Sequence, residues 1–112
     1  MKKIFLFLLI AGIYSCTPKA APSPAKTTSA FTDTDVARGK VFWTDCSIEK
    51  LDAANTLYTA KCGTCHSLKA PTSRDEEAWK KVVPPMAKKA KLTAEEEALI
   101  LNYVLTMKDA KK

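Results

Sequence analysis

Only residues 33–112 of this 112-residue chain have the composition of a folded domain. A core built from so few residues is marginal unless something else is buried within it. The stretch before it, 17–32, reads Thr-Pro-Lys-Ala-Ala-Pro-Ser-Pro-Ala-Lys-Thr-Thr-Ser-Ala-Phe-Thr. Its prolines, small residues and two lysines leave almost nothing to bury, and such a segment behaves as a semi-extended tether. Earlier still, Met1-Lys2-Lys3 opens on positive charge and Ile4 to Ile13 is an almost unbroken apolar run. That is the layout of a secretory signal, and the run is too short to span a bilayer as a helix. A buried cofactor would supply the apolar volume that the remaining residues lack.

Nothing in the chain alternates in the manner of a strand bounded by tight turns, and helical periodicity is plain instead. Thr93-Ala94-Glu95-Glu96 has capping-box spacing, and Ile100, Tyr103, Val104 and Met107 then share a face widened by Leu101 and Leu105. Ser73-Arg74-Asp75-Glu76 has the same spacing ahead of Trp79, Val82, Val83 and Met86, and predicts another helix start. Pro84-Pro85 should break or kink that helix, because neither residue can donate a backbone hydrogen bond. Leu51, Ala54, Leu57 and Tyr58 suit a helix running into Cys62. A further helix is expected over 33–43, with Gly39 an unfavourable residue inside it. No internal repeat is present. The expected fold is all-α, with three to five helices in one domain.

The chemistry lies in Cys62-Gly63-Thr64-Cys65-His66. Cys-x-x-Cys-His is the attachment signature of c-type haem. Two thiols at this spacing add across the two vinyl groups of one porphyrin, and the adjacent imidazole meets the iron. Gly63 and Thr64 are small enough to let the backbone pass close to the ring edge. Three other chemistries use the same residues. A zinc site would join Cys46 to Cys62, Cys65 and His66, although zinc ligands usually come as two separated pairs. A thioredoxin-like dithiol would need a βαβ pattern, which is lacking. A Cys62–Cys65 disulfide would be strained at so short a spacing.

Residues 57–107 resemble the core of a class I, monohaem cytochrome c. The resemblance runs through Leu57-Tyr58, the Cys62 to His66 motif, Pro71 five residues beyond it, Trp79, Met86 after Val-Val-Pro-Pro, and Tyr103 in the last helix. It implies a small cytochrome c-like fold around one covalent haem c. It also implies a helix crossing near Tyr58 and Tyr103, with Ala54 where the family carries glycine. His66 is the only histidine, so the far side of the iron would hold Met, Lys, water or nothing. The mature methionines are Met86 and Met107; Met86 matches the family's ligand position, whereas Met107 lies on the core stripe of the last helix. The resemblance further implies that the Pro71 carbonyl accepts the second ring proton of His66. Trp79 is either a core residue or one that packs on the haem and bonds a propionate.

Two features lie outside that core. Ile13-Tyr14-Ser15-Cys16 resembles a bacterial lipoprotein box, which implies a signal peptide over 1–15, lipidated Cys16, a tether over 16–32 and a domain over 33–112. Cys16 is incidental if the signal is an ordinary one. Setting aside Lys2 and Lys3 leaves 16 basic against 12 acidic side chains. The bases do not alternate with aromatics as on a nucleic-acid surface, and no nucleic acid is expected. Lys80, Lys81, Lys88, Lys89 and Lys91 bracket Met86 with no acid between them. They are either a solvated helix face or a docking surface for a redox partner with an acidic face. Cys46 is left over, either as a small buried hydrophobe or as a thiol available for intermolecular pairing.

These readings converge on an electron-transfer protein rather than an enzyme. It would be lipid-anchored in a bacterial cell envelope, facing the periplasm or exterior, with His66 and Met86 on its iron. The haem subunit of a larger oxidoreductase, and a gas-binding sensor with an open iron, are the alternatives.

Overall fold

A computed structural model describes residues 29–110. The signal region, Cys16 and most of the tether lie outside the described residues. Four α-helices follow one another: α1 (Asp33–Gly39), α2 (Ile48–Cys62), α3 (Glu76–Lys89) and α4 (Ala94–Met107), with a 3-10 turn at Pro71–Ser73 between α2 and α3. Among the described residues there is no strand and no helix long and apolar enough to cross a membrane. The fold is all-α, with a helix count inside the expected range.

The last helix holds the others together. α1, α2, α3 and the 3-10 turn all pack on α4, which buries Ile100, Tyr103, Val104, Leu105 and Thr106. Its start is fixed as the spacing predicts. The Glu96 amide donates to Thr93 Oγ1 at 3.2 Å and the Thr93 amide to Glu96 Oε2 at 2.9 Å. Each side chain thereby takes up a backbone donor that lacks a partner within the helix. Glu95, Glu96 and Glu97 sit in the first turn, where the helix dipole favours negative charge.

α2 is capped by Ser47, whose side chain accepts from the Lys50 amide at 3.2 Å. It buries Leu51, Ala54 and Tyr58, one stripe turned toward α4. The Tyr58 and Tyr103 rings lie 5.6 Å apart, and the Tyr103 hydroxyl donates to Asn55 Oδ1 at 2.8 Å. The helix stops at Cys62 because the chain turns at Gly63. A Cβ there would come within 2.8 Å of the Thr59 carbonyl oxygen, too close for any larger residue without disturbing the final turn.

α1 is shorter than predicted. It ends at Gly39, and residues 40–42 form a turn that rolls Trp43 onto α4, where its indole N–H donates to Thr106 Oγ1 at 3.2 Å. Gly39 is buried at this contact beside Trp43 and Cys46. Cys46 is 5% exposed, so it is the buried hydrophobe of the two readings, and burial pushes its thiol pKa up while Lys40 opposes the shift.

Two expectations about α3 are corrected. Its N-cap is Asp75 rather than Ser73: the Asp75 carboxylate accepts from the Ala78 amide at 2.8 Å, while Ser73 turns back to the Ala70 carbonyl at 2.6 Å. A carboxylate interacts more strongly than a hydroxyl with the positive end of the helix dipole. Of the break or kink expected at Pro84 and Pro85, the break does not occur: the helix runs to Lys89. Trp79, Val83 and Ala87 are buried on one stripe while both prolines are exposed. The Lys80 and Lys81 carbonyls, which lose their amide partners, therefore have water in reach. α3 closes with Lys91 at φ 56° and the Leu92 amide donating to the Ala87 carbonyl at 3.0 Å, the pattern that usually employs glycine.

Candidate cofactor site

Where α2 ends, the loop that follows it, α3 and the first half of α4 enclose a cleft of about 300 Å³. That is within the size range of small-molecule sites, about 300–1,000 Å³. Cys62 enters from the last residue of α2, with Cys65 and His66 from the turn just beyond. Met86 and Trp79 reach the cleft from α3, and Ile100 from α4. Residues separated by more than twenty positions in sequence thus line one hollow, and its walls are mainly apolar. Cys62 is half-buried while Cys65 and His66 are exposed at the rim. Burial pushes the Cys62 thiol above its ordinary pKa.

Met107 is placed elsewhere. It is half-buried at the end of α4, beside a second hollow that includes Asp35 and Arg38. Of the two methionines considered as ligands, Met86 alone shares a cleft with His66.

The zinc arrangement is not assembled. Cys46 lies against Trp43 and Gly39, and among the described residues no group of three or more His, Cys, Asp or Glu side chains is placed to hold a metal ion. Cys62 and Cys65 are free thiols rather than a disulfide, and the sheet that a thioredoxin-like dithiol needs is absent among the described residues.

Pro71 and His66 each have another partner in this structure. The Pro71 carbonyl accepts from Trp79 Nε1 at 2.8 Å, while His66 Nδ1 lies 2.9 Å from the Ser67 carbonyl oxygen. The indole N–H is thereby committed to backbone. Trp79 is a core residue, 3% exposed, whose face borders the cleft.

Four cationic residues also line the cleft: Lys89, from the lysine run around Met86, and Lys61, Lys69 and Arg74, which the sequence did not mark as cleft residues. Among the described residues no acidic one lines it. Arg74 is held with its guanidinium carbon 5.3 Å from the centre of the Trp79 ring, a cation–π arrangement. Arg74 was legible only as part of a presumed helix start, since nothing in its spacing distinguishes a cleft residue from a solvated one. An apolar hollow with cations and no acids suits a flat apolar body carrying carboxylates. Cys62 and Cys65 offer thiols at its edge, and His66 and Met86 offer an imidazole and a thioether.

No family model, curated protein or solved structure matches this chain.

Proposed function

We propose that this protein is a one-electron carrier with a single covalent haem c, exported and lipid-anchored through Cys16 to a bacterial envelope membrane. The observation that carries the reading is the convergence of Cys62, Cys65, His66 and Met86 on one apolar cleft lined by cations. Cys62 and Cys65 would hold the porphyrin through thioethers, and His66 and Met86 would bind the iron. The haem supplies the one-electron couple. A soft thioether favours the ferrous form and raises the potential. Two protein ligands leave no position for a substrate, which favours a carrier over catalysis or gas sensing. Arg74, with the lysines of the cleft, would meet the propionates in place of the Trp79 N–H. Ala54, Tyr58 and Tyr103 at the α2–α4 contact fit the same cytochrome c-like architecture.

The partner would present an acidic face. Lys80 and Lys81 are drawn to Glu76 and Glu77 one turn earlier on α3. Lys88, Lys89 and Lys91 have no ion-pair partner among the described residues. Lys89 faces the cleft, so the docking charge is assigned to Lys88 and Lys91, which serve encounter rate more than affinity.

The test is a visible spectrum of the protein exported together with haem-attachment machinery, before and after reduction and with carbon monoxide added. Sharp reduced bands that ignore the gas, with colour retained after denaturation, are expected. A colourless protein would overturn the haem reading, and bands that move with the gas would overturn the closed iron. Met86→Ala should abolish the Met-to-iron charge-transfer band; if Met107→Ala does so instead, the ligand assignment fails.

A further inference from the structure

The loop 67–70 between His66 and the 3-10 turn has no helix or strand of its own, and all four of its residues are exposed. A segment of that kind is fixed only by the bonds that reach it from outside. Ser73 donates to the Ala70 carbonyl and His66 Nδ1 lies 2.9 Å from the Ser67 carbonyl oxygen, and two buried aromatic residues bond the loop and the start of the 3-10 turn from the helices on either side. The Tyr58 hydroxyl donates to the Lys69 carbonyl, and Trp79 Nε1 donates to the Pro71 carbonyl at 2.8 Å. The two rings pack edge to face, with centroids 6.3 Å apart. Tyr58 belongs to α2, which ends in Cys62, and Trp79 to α3, which carries Met86.

We infer that Tyr58 and Trp79 form a two-point clamp on this loop and are positioning residues for His66. The inference rests on the haem reading of the cleft. One donor fixes the chain three residues after His66 and the other five residues after it, so the path leaving the imidazole is held from both walls. Each donor is suited to the task. An indole N–H has no acceptor role to compete with. The Tyr58 hydroxyl is pushed up to about 12, first by burial and then by Cys62 and Tyr103, with Arg74 opposing, so it stays a donor throughout the physiological range. The imidazole itself meets the first carbonyl of the loop, with Nδ1 2.9 Å from the Ser67 oxygen, and the two aromatic donors fix the chain beyond it.

Tyr58→Phe removes the hydroxyl and keeps the ring in the core. Tyr103→Phe is the matched control, since it also deletes a buried hydroxyl, the one bonded to Asn55 at 2.8 Å, without touching the loop. Backbone amide exchange is measured on the exported protein, together with electron paramagnetic resonance of its oxidised form. In Tyr58→Phe, the Ser73 amide, which closes the loop by donating to the Ala70 carbonyl at 2.9 Å, should exchange about fivefold faster, the effect of one ordinary hydrogen bond, with α4 unaltered. The g-values, which report the orientation of axial ligands, should shift in Tyr58→Phe and not in Tyr103→Phe. Unchanged Ser73 exchange in Tyr58→Phe, or an equal effect in Tyr103→Phe, overturns the clamp. Faster exchange with unmoved g-values overturns its positioning of His66. A protein without haem lacks the resonance but still reports Ser73 exchange, so failure of the site reading and failure of the clamp are distinguishable.

Discussion

Gly39→Ala sets two opposing energies against each other at a site where both are read from the structure. Alanine is favoured over glycine within a helix by about 0.8–1.0 kcal/mol, and less than that at the final residue of α1. No glycine of the described chain has positive φ, so the backbone itself accepts the change. The surroundings do not. The new methyl carbon would lie 2.8 Å from Trp43 Nε1 and 3.2 Å from Thr106 Cγ2, and would overlap Cys46 Sγ. Overpacking a filled core costs about 1–3 kcal/mol. If Trp43 moves to relieve it, the buried bond from Trp43 to Thr106 is lost as well, at about 1 kcal/mol. The balance is a net destabilisation of about 2 kcal/mol. For a domain this small it appears as a melting temperature lower by about 10 °C. Thermal unfolding followed by circular dichroism of the variant, and of the same change in a Cys46→Ala background, measures it. Removing Sγ opens the space that the methyl needs, so the penalty should shrink by about 1 kcal/mol in that background. A Gly39→Ala protein as stable as the original, or a penalty undiminished by Cys46→Ala, would refute the packing of α1 described above.

Other consequences follow from single residues. Lys91→Gly relieves a left-handed residue and should stabilise the domain by about 1 kcal/mol, seen as a higher urea midpoint with unchanged slope. Thr93→Ala deletes the α4 cap and should cost about 1 kcal/mol in the same titration. Burial alone would raise the Asp35 pKa, but hydrogen bonds from Thr32 and the Arg38 guanidinium outweigh it and hold the carboxyl below its ordinary range. Its contribution is therefore full above the unfolded-state value and is lost as pH falls through the lower folded-state value. Asp35→Asn should flatten the acid limb of a stability–pH curve and leave the neutral region parallel. An unchanged acid limb would count against the Thr32–Asp35–Arg38 cluster.

The helix boundaries that were legible in advance are those written by local chemistry. Thr93 with Glu96 placed the start of α4 because a capping box is complete within four residues. The run of Leu51, Ala54 and Tyr58 pointed to α2 because its period is local too. The Cys62 to His66 motif could be read without any fold. What local patterns could not supply was competition between near neighbours. Ser73 and Asp75 both suit a helix cap, and only the folded chain shows that Ser73 is occupied by Ala70. Pro84 and Pro85 carry a strong local penalty that the buried stripe of Trp79, Val83 and Ala87 overrides. Gly39, an apparent weakness in a helix, is the close approach on which α1 meets α4. The partner of the Pro71 carbonyl, and the arrival of Arg74 and Lys69 at the cleft, depend on how the loop crosses α2 and α3, which no spacing encodes.

The central place of α4 has a consequence for timing. It follows every helix that it holds together, so during synthesis α1, α2 and α3 emerge with their apolar stripes unmatched. Each waits for Ile100, Tyr103, Val104 and Thr106, and the interior cannot close until those residues arrive. Under the export proposed above, such late completion would keep residues 33–93 threadable until α4 has emerged. It would also leave Cys62 and Cys65 accessible before the walls assemble around them.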